Sequence, residues 1–509
     1  MKYNKALIIL MVFILTVSCE NHSKKQKNLP NVVIIYADDM GFGDVAANNP
    51  ESKLKTPNLD KLAEKGVNFI DAHTSSAVCT PSRYSLVTGR YPWRSWMKYS
   101  VFNGYGGHPM IDPGRQTIGT IFQEAGYNTS IIGKWHLGVN WQTKEIGQRP
   151  RFGTVDYNKP VLNTPKQRGF DYAYFLSASL DFSPYVFIEN NTVLGPVDTI
   201  IKGHDFPEYY RKGESTKNFK HEDILDHLLN KAKAIIKENA HNPNPFFLYF
   251  PITAPHKPLV PHIRFRGKSA AGWYGDFIQQ VDWTVGEVLK TLDENKLSEN
   301  TIVIFSSDNG SYMYQYGVDE KDHIDNKTYH GFRAENHKPN GDWRGTKADI
   351  YEGGHRVPLM IYWPGQIAPK TINQAVCISD IVATLTDMLQ LKADSSQMED
   401  SYSLLPLLEG KEFVREPIIH QSGQGALAIR QGDYKLILCN GSGGREKPRG
   451  NPFTRPYQLY NLKNDPHETQ NLINTEIEMA KSMEKEFYRI VGSGLTKGNI
   501  LMLKTHNRD

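Results

Sequence analysis

Apolar residues in this chain gather into short unbroken runs, and polar clusters rich in glycine or proline separate them. "NVVIIYADDMGFGD" carries one such run, Val32 to Tyr36, of the kind a strand buried on both faces shows. "TPNLDKLAEKG" follows with helical spacing, and "TIGTIFQEAGYNTSIIGKWHLG" reads as helix, Gly126 stop, then strand. Further on, the amphipathic "HEDILDHLLNKAKAIIKEN" leads into "PFFLYFPITAPHKP", and "GDFIQQVDWTVGEVLKTLDENKL" leads into "TIVIFSSDNG". Helices that alternate with buried strands predict an α/β fold, a large, mostly parallel central sheet flanked by helices. From about Glu412 the pattern changes. "ALAIRQGDYKLIL" and "YQLYNLKND" alternate like antiparallel strands, and "EIEMAKSMEKEFYRIV" is helical, so residues 412–509 are expected to form a small C-terminal α+β subdomain after a catalytic domain of 31–411. Residues 140–220 and 311–346 lack periodicity, and in an α/β enzyme such insertions usually wall a substrate site.

Composition adds limits. The 509 residues are 39% hydrophobic and carry a net charge of +4, enough for a large core and too little basic surplus to argue for nucleic acid. The first residues, "MKYNKALIILMVFILTVSCENHSKKQKN", place two lysines before an apolar run from Ala6 to about Val17, too short to span a bilayer comfortably. This is the layout of a signal peptide over residues 1–18. Cys19 after it resembles the lipidated first residue of a bacterial lipoprotein, with 19–30 as a polar tether. The expectation is therefore an exported chain, membrane-anchored in the periplasm or at the cell surface, or else soluble in the periplasm after ordinary cleavage. Cys377 and Cys439 read as small buried residues, and no disulfide framework is expected.

Three buried runs end in unusual polar residues: Val32–Tyr36 in Asp38-Asp39, Phe246–Phe250 in His256, and Ile302–Phe305 in Asp308-Asn309. Ligands of open α/β sheets bind beyond the carboxyl ends of the strands, so these groups are expected in one crevice. Asp38, Asp39, Asp308 and Asn309 would offer only oxygens, a set suited to a hard cation such as calcium. "GKWHLG" adds Lys134 and His136, whose side chains leave the same face if the strand stays extended there. "GTKADIYEGGHRVP" adds Lys347. Lysines and histidines facing a cation held by carboxylates imply an anionic substrate with a tetrahedral centre.

"HTSSAVCTPSRYSLVTGRYP" fits the same crevice. With Pro81 at the first helical position and Gly89 at the end, residues 80–88 read as a short helix whose N-terminus points at Cys79, with Arg83 one turn in. Cys79-Thr80-Pro81-Ser82-Arg83 resembles the C-x-P-S-R maturation motif of the type I sulfatases, within the alkaline-phosphatase superfamily. "ADDMGFGD", "GKWHLG", "TAPHKP", "SSDNG" and "GTKADIYEGGHRVP" resemble further family blocks, in order, from about Asn31 to Gly410. The resemblance implies that a formylglycine-generating enzyme oxidises Cys79 to Cα-formylglycine (3-oxoalanine), and that the hydrated aldehyde attacks sulfur. It implies one Ca2+ held by Asp38, Asp39, Asp308, Asn309 and modified residue 79. It assigns Arg83 to stabilising the ionised nucleophile, Lys134, His256 and Lys347 to the sulfate and leaving oxygen, with His256 as general acid, and His136 to the second diol proton.

The implied substrate is a sulfated polysaccharide or its oligosaccharides, such as ulvan, carrageenan or glycosaminoglycan fragments. His108, Arg168, Trp343 and Arg344 are candidate sugar contacts. Alternatives are an arylsulfatase, a phosphonate or phosphate monoester hydrolase of the same superfamily, or an inactive glycan-binding surface lipoprotein. A two-zinc phosphatase would need ligands from "DHIDNKTYH" at 322–330, which reads more simply as a solvated loop.

Overall fold

The computed structural model describes residues 29–205, 208–313 and 336–492. Cys19, the tether up to residue 28, and 322–330 lie outside the described residues. The elements that position the site, in chain order, are β1 (Asn31–Asp38), α1 (Pro57–Lys65), β2 (Val67–Phe69), α2 (Cys79–Thr88), α3 (Ile118–Glu124), β3 (Asn128–Lys134), β4 (Tyr172–Leu176), α4 (Ile224–Asn239), β5 (Phe246–Pro255), α5 (Gly272–Glu294), β6 (Thr301–Ser307), α6 (Glu352–His355), β7 (Leu359–Tyr362), β8 (Lys370–Ile372) and α7 (Asp380–Leu389). After them come β9 (Ile418–Gln421), β10 (Leu427–Gln431), β11 (Tyr434–Ile437), β12 (Gln458–Asn461) and α8 (Ile477–Val491).

The large sheet has ten strands, in the order β8-β2-β7-β6-β1-β5-β3-β4 and then a hairpin of Ile188–Glu189 and Thr192–Val193. Its centre is parallel, with β1 between β5 and β6 and β3 beyond β5, whereas β7 runs antiparallel to both β6 and β2. The apolar runs explain the central position of these strands. Along β1, Val32, Ile34 and Tyr36 join one core while Val33, Ile35 and Ala37 join the core on the other face, so both sides must be covered. Helices α2, α3 and α7 supply the first cover, through Val87, Ile118 and Leu385. Helices α1, α4 and α5 supply the second, through Leu62, Leu228 and Val281.

Strands β9 to β12 form a separate antiparallel sheet of four. One face packs on Met483 and Phe487 of α8, together with Tyr91 and Trp93 that follow α2. Its other face packs Ala428 and Ile437 on Ile350 and Tyr351, just after Lys347. The small subdomain is thus fastened to the loop that carries a candidate site residue. Cys377 and Cys439 are buried free thiols. No helix among the described residues is long and apolar enough to cross a membrane.

Candidate active site

Parallel pairing brings the carboxyl ends of β1, β3, β5 and β6 to one edge of the sheet, and there the sequence places its polar residues. Asp38 closes β1, Lys134 closes β3, His256 follows β5, and Asp308-Asn309 follow β6. Asp39 adopts φ 65°, a left-handed conformation that asparagine and aspartate tolerate better than most residues. That turn sets Asp39 beside Asp308, whose Oδ1 accepts from the Asp39 backbone N–H at 3.0 Å.

Two expectations change at this edge. Helix α2 begins at Cys79 itself, not after it, so Pro81 is its third residue and the cysteine lies in the first turn. Gly89 ends the helix with φ 66°, as the sequence implies. Lys134 and His136 do not share a face of an extended strand either: β3 stops at Lys134, and His136 has φ 57°. A left-handed turn brings the imidazole inward, where the 0% exposure of His136 matches that of Lys134.

The buried charges are paired. Lys134 Nζ lies 2.8 Å from both oxygens of Asp38. Arg83 reaches Asp308 Oδ2 through Nη2 at 2.7 Å and Nε at 2.9 Å, with Asp38 Oδ1 3.4 Å from Nη2. Lys347 Nζ is 2.5 Å from Asp39 Oδ1, and His256 Nε2 is 3.5 Å from Asp39 Oδ2. Three carboxylates therefore face three permanent cations. Burial raises Asp38 to about 7 against the pull of Lys134, with Asp308 and Asp39 adding to the rise. Asp308 stays below the usual carboxylate range because Arg83, Lys134 and Lys347 outweigh its burial. Lys347 is raised above the ordinary lysine range although burial opposes it, with Asp39 the strongest favourable neighbour.

The two histidines are neutral. Burial, then Lys134, pushes His136 well below its ordinary value; burial, then Lys347 and Lys134, does the same to His256. Carbonyl partners fix their tautomers, because a carbonyl can only accept. His136 Nε2 donates to Phe102 O at 2.8 Å, which leaves the lone pair on Nδ1, a buried atom with no partner. His256 Nδ1 donates to Lys257 O at 2.5 Å, which leaves Nε2 as its basic atom.

The donors fit a hard cation. Asp38, Cys79 and Asp308 place ligand atoms within 4.8 Å of one another, as do Asp38, Asp39 and His256. Asn309 Nδ2 donates to Asp39 Oδ1 at 2.7 Å, while its Oδ1 is buried without any partner, an acceptor that a cation would satisfy. Two further groups that share His73, His73-His355-His420 and Asp71-His73-Glu352, have ligand spacing too. Their centre is already filled: Lys435 Nζ lies 3.0 Å from Glu352 Oε1, 2.9 Å from Glu468 Oε1 and 3.0 Å from His355 Nε2. The ammonium donates to Glu352 and His355 and forms an ion pair with Glu468, so this cluster is structural.

Cys79, 1% exposed, lies at the bottom of a cavity of about 340 Å³ that His256 and Lys347 also line. Burial raises its thiol above the ordinary cysteine range, with Lys134 and Lys347 opposing, so the unmodified side chain is a poor nucleophile. Four proposed sugar contacts do not line this cavity. Arg168 is 6% exposed and donates to the carbonyls of Ile111 and Gln167. Arg344 pairs with Glu446, Trp343 lies against the Arg356 guanidinium, and His108 lies near the Trp96 ring. The cavity is lined instead by Asp181, Arg211, Lys257, Arg445 and Arg449 among others. Only Lys257, beside His256 in "TAPHKP", and the two arginines of "GGREKPRG" carried a signal in the sequence, as polar residues among glycine and proline.

Comparison with known proteins agrees with this geometry. An N-acetylgalactosamine-6-O-sulfatase of Bacteroides thetaiotaomicron is 34% identical over 505 residues, covering 92% of this chain and 93% of that one. The N-acetylgalactosamine-6-sulfatase of Canis lupus familiaris is 30% identical, covering 80% and 71%. A solved Bacteroides thetaiotaomicron structure, described in connection with the metabolism of multiple glycosaminoglycans, superposes with a TM-score of 0.78 at 32% identity, covering 91% and 99%. The phosphonate monoester hydrolase of Agrobacterium radiobacter shares the fold, with a TM-score of 0.58 at 18% identity, covering 92% and 96%. Residues 30–391 match the sequence profile of the Sulfatase family, and with a paired carboxylate cluster set against Cys79-Thr80-Pro81-Ser82-Arg83 this chain belongs to that family of sulfate ester hydrolases.

Proposed function

We propose that this sulfatase removes 6-O-sulfate from N-acetylgalactosamine units of glycosaminoglycan fragments, after Cys79 has been converted to formylglycine and with one calcium ion in the carboxylate cluster. One observation carries the substrate reading: the relative that matches 92% of the chain at 34% identity is an N-acetylgalactosamine-6-O-sulfatase. Asp38, Asp39, Asp308 and Asn309 would hold the ion, which supplies a localised positive field for sulfate oxygens and an ionised residue 79. The aldehyde, installed by a maturation enzyme of the producing cell and hydrated, supplies an oxygen nucleophile where the raised thiol cannot.

The remaining work falls to this chain's own side chains. Arg83 and Lys134 hold Asp308 and Asp38 in place through direct ion pairs, and Arg83 keeps Asp308 ionised. Lys347 faces the cavity with its charge secured by Asp39, suited to holding a sulfate oxygen. His256, neutral before substrate binds, would take a proton from solvent at Nε2 as the anion enters and pass it to the leaving sugar oxygen. His136, neutral with a free lone pair at Nδ1, accepts a proton from residue 79. Three carboxylates and three cations cancel, so a divalent ion leaves a surplus of positive charge that an anionic ester would complement. The N-terminal "FILTVSC" further supports export, with Cys19 as the lipid attachment point.

The test is mass spectrometry of the peptide spanning residue 79 from the native host, coupled to assays on 6-O-sulfated N-acetylgalactosamine and on isomers sulfated elsewhere. The expected result is an aldehyde at residue 79, release of sulfate from the 6-O-ester alone, and complete loss of turnover in Cys79→Ala with the fold intact. Unmodified cysteine in an active enzyme would overturn the mechanism, and preference for another isomer would overturn the substrate.

A further inference from the structure

The mouth of the Cys79 cavity carries more positive charge than one sulfate ester requires. Beyond Lys347, the lining includes Arg211, Lys257, Arg445 and Arg449, against a single carboxylate, Asp181. Arg211 Nη1 lies 2.7 Å from Asp181 Oδ2 and Lys257 Nζ 3.8 Å from the same oxygen, so that carboxylate is shared. Among the described residues no carboxylate lies within ion-pair distance of Arg445 or Arg449. Arg445 is partly buried and Arg449 exposed, and both come from the turn of the C-terminal subdomain that presses against the Lys347 loop. A Cβ at Gly444 would lie 2.3 Å from Ala348 O, so the absence of a side chain there is what seats this turn beside the site. Cations from three separate segments, 211, 257 and 445–449, thus converge on one rim, where their mutual repulsion favours a bound anion.

We infer that this rim binds a second anionic group of the same substrate, so that the enzyme selects sulfate esters carrying a neighbouring carboxylate or second sulfate over otherwise neutral ones. The inference rests on the sulfatase reading above and narrows its substrate class. Arg445 and Arg449 take the second anion in the fork geometry that suits both oxyanions. Asp181 Oδ1, buried and without a partner, remains available for a sugar hydroxyl between the two anions.

The matured full-length enzyme is assayed at low salt on four probes: 4-nitrophenyl sulfate, N-acetylgalactosamine 6-sulfate, a uronate-bearing disaccharide with the same 6-sulfate, and a 4,6-disulfated N-acetylgalactosamine. The methyl ester of the disaccharide serves as its neutral control. The expected kcat/KM of at least one dianionic probe exceeds that of its neutral counterpart by about tenfold, the worth of one charge-assisted contact. Which probe gains identifies the anion: the uronate disaccharide for a carboxylate on the next sugar, the disulfate for a sulfate on the same one. The ratio falls towards unity in Arg445→Gln and in Arg449→Ala, two separate substitutions with one of them at an exposed position. Equal rates on dianionic and neutral probes by the wild type overturn the inference, as does a ratio that survives both substitutions. Hydrolysis of the aryl sulfate without any sugar sulfate removes the substrate class altogether. If no probe is hydrolysed by a chain bearing the aldehyde, the sulfatase reading itself fails, an outcome distinct from loss of selectivity.

Discussion

The Phe102 carbonyl accepts a 2.8 Å hydrogen bond from His136 Nε2, and the Phe102 N–H in turn donates to Thr80 Oγ1 at 3.2 Å. A residue of the cysteine motif therefore sets the tautomer of an imidazole 56 positions away by holding the backbone that holds the ring. With Nε2 protonated, Nδ1 is basic, and burial with Lys134 keeps the ring neutral across the ordinary range. His136→Gln is expected to lower steady-state kcat by about 10² to 10⁴, the usual worth of a general base. Rapid-quench kinetics should show a first burst of released sugar followed by near arrest, because the step lost lies after departure of the alcohol. His256→Gln should diminish the burst itself. Bursts of the same size in both variants would contradict this division of labour.

Calcium removal should inactivate without unfolding. The carboxylates of Asp38, Asp39 and Asp308 already have Lys134, Lys347 and Arg83 as counter-charges, so the cluster stays compensated when no divalent ion is bound. Chelation is expected to abolish turnover, while calcorimetric or fluorescence melts move only as mass action dictates, about 2.7 kcal/mol of stabilisation at a hundred times the Kd. Asn309→Leu, which deletes the buried unpartnered Oδ1, should weaken calcium by about 10- to 100-fold in isothermal titration. An unchanged affinity would place the ion elsewhere.

Much of this site was legible because it depends on strand ends. A run such as Val32–Tyr36 announces a strand covered on both faces, and parallel pairing then fixes where Asp38, His256 and Asp308 must go. The rim was not legible in the same way. Arg211 and Asp181 belong to an aperiodic insertion, and Arg445 reaches the cavity only because the C-terminal sheet packs on Ile350 and Tyr351. Such placement comes from subdomain docking, which leaves no period in the sequence. Trp343 and Arg344, residues of sugar-binding type close in sequence to Lys347, lie outside the Cys79 cavity, against Arg356 and Glu446. The left-handed turn at His136 is not legible, because a non-glycine residue gives no warning of positive φ.

That docking depends on Lys435 of β11, whose ammonium lies between Glu352 of α6 and Glu468 after β12. Lys435 is fully buried, and its loss would leave two carboxylates and a histidine without their common donor. Burial lifts Glu468 to about 7, with Lys435 opposing, whereas Lys435, His73 and His355 together outweigh burial and hold Glu352 low. Lys435→Met is expected to cost about 3–5 kcal/mol, the range for breaking a buried pair by removing one partner. Adding Glu468→Gln to Lys435→Met should recover part of that cost, since one of the stranded charges disappears. Urea melts of Lys435→Met, Glu468→Gln and the double variant measure the difference, and additive destabilisation would mean that Lys435 and Glu468 are not coupled.

Lys257 is expected to set an alkaline limit on substrate binding. Burial, with Arg445, Lys347 and Arg211 adding to it and Asp181 opposing, brings its ammonium down to about 8. Below that pH the rim carries its full charge, and above it Lys257 becomes neutral, so KM for a dianionic substrate should rise as pH passes about 8. Stability should respond with the opposite sign. Between about 8 and the ordinary lysine range the unfolded chain holds the proton that the folded one has shed, so this group adds stability as pH increases. Lys257→Met should raise KM at neutral pH and remove the alkaline rise, whereas Lys257→Arg, charged throughout, should remove the rise while keeping the low KM. A KM profile with the same alkaline rise in Lys257→Met would assign the titration to another group.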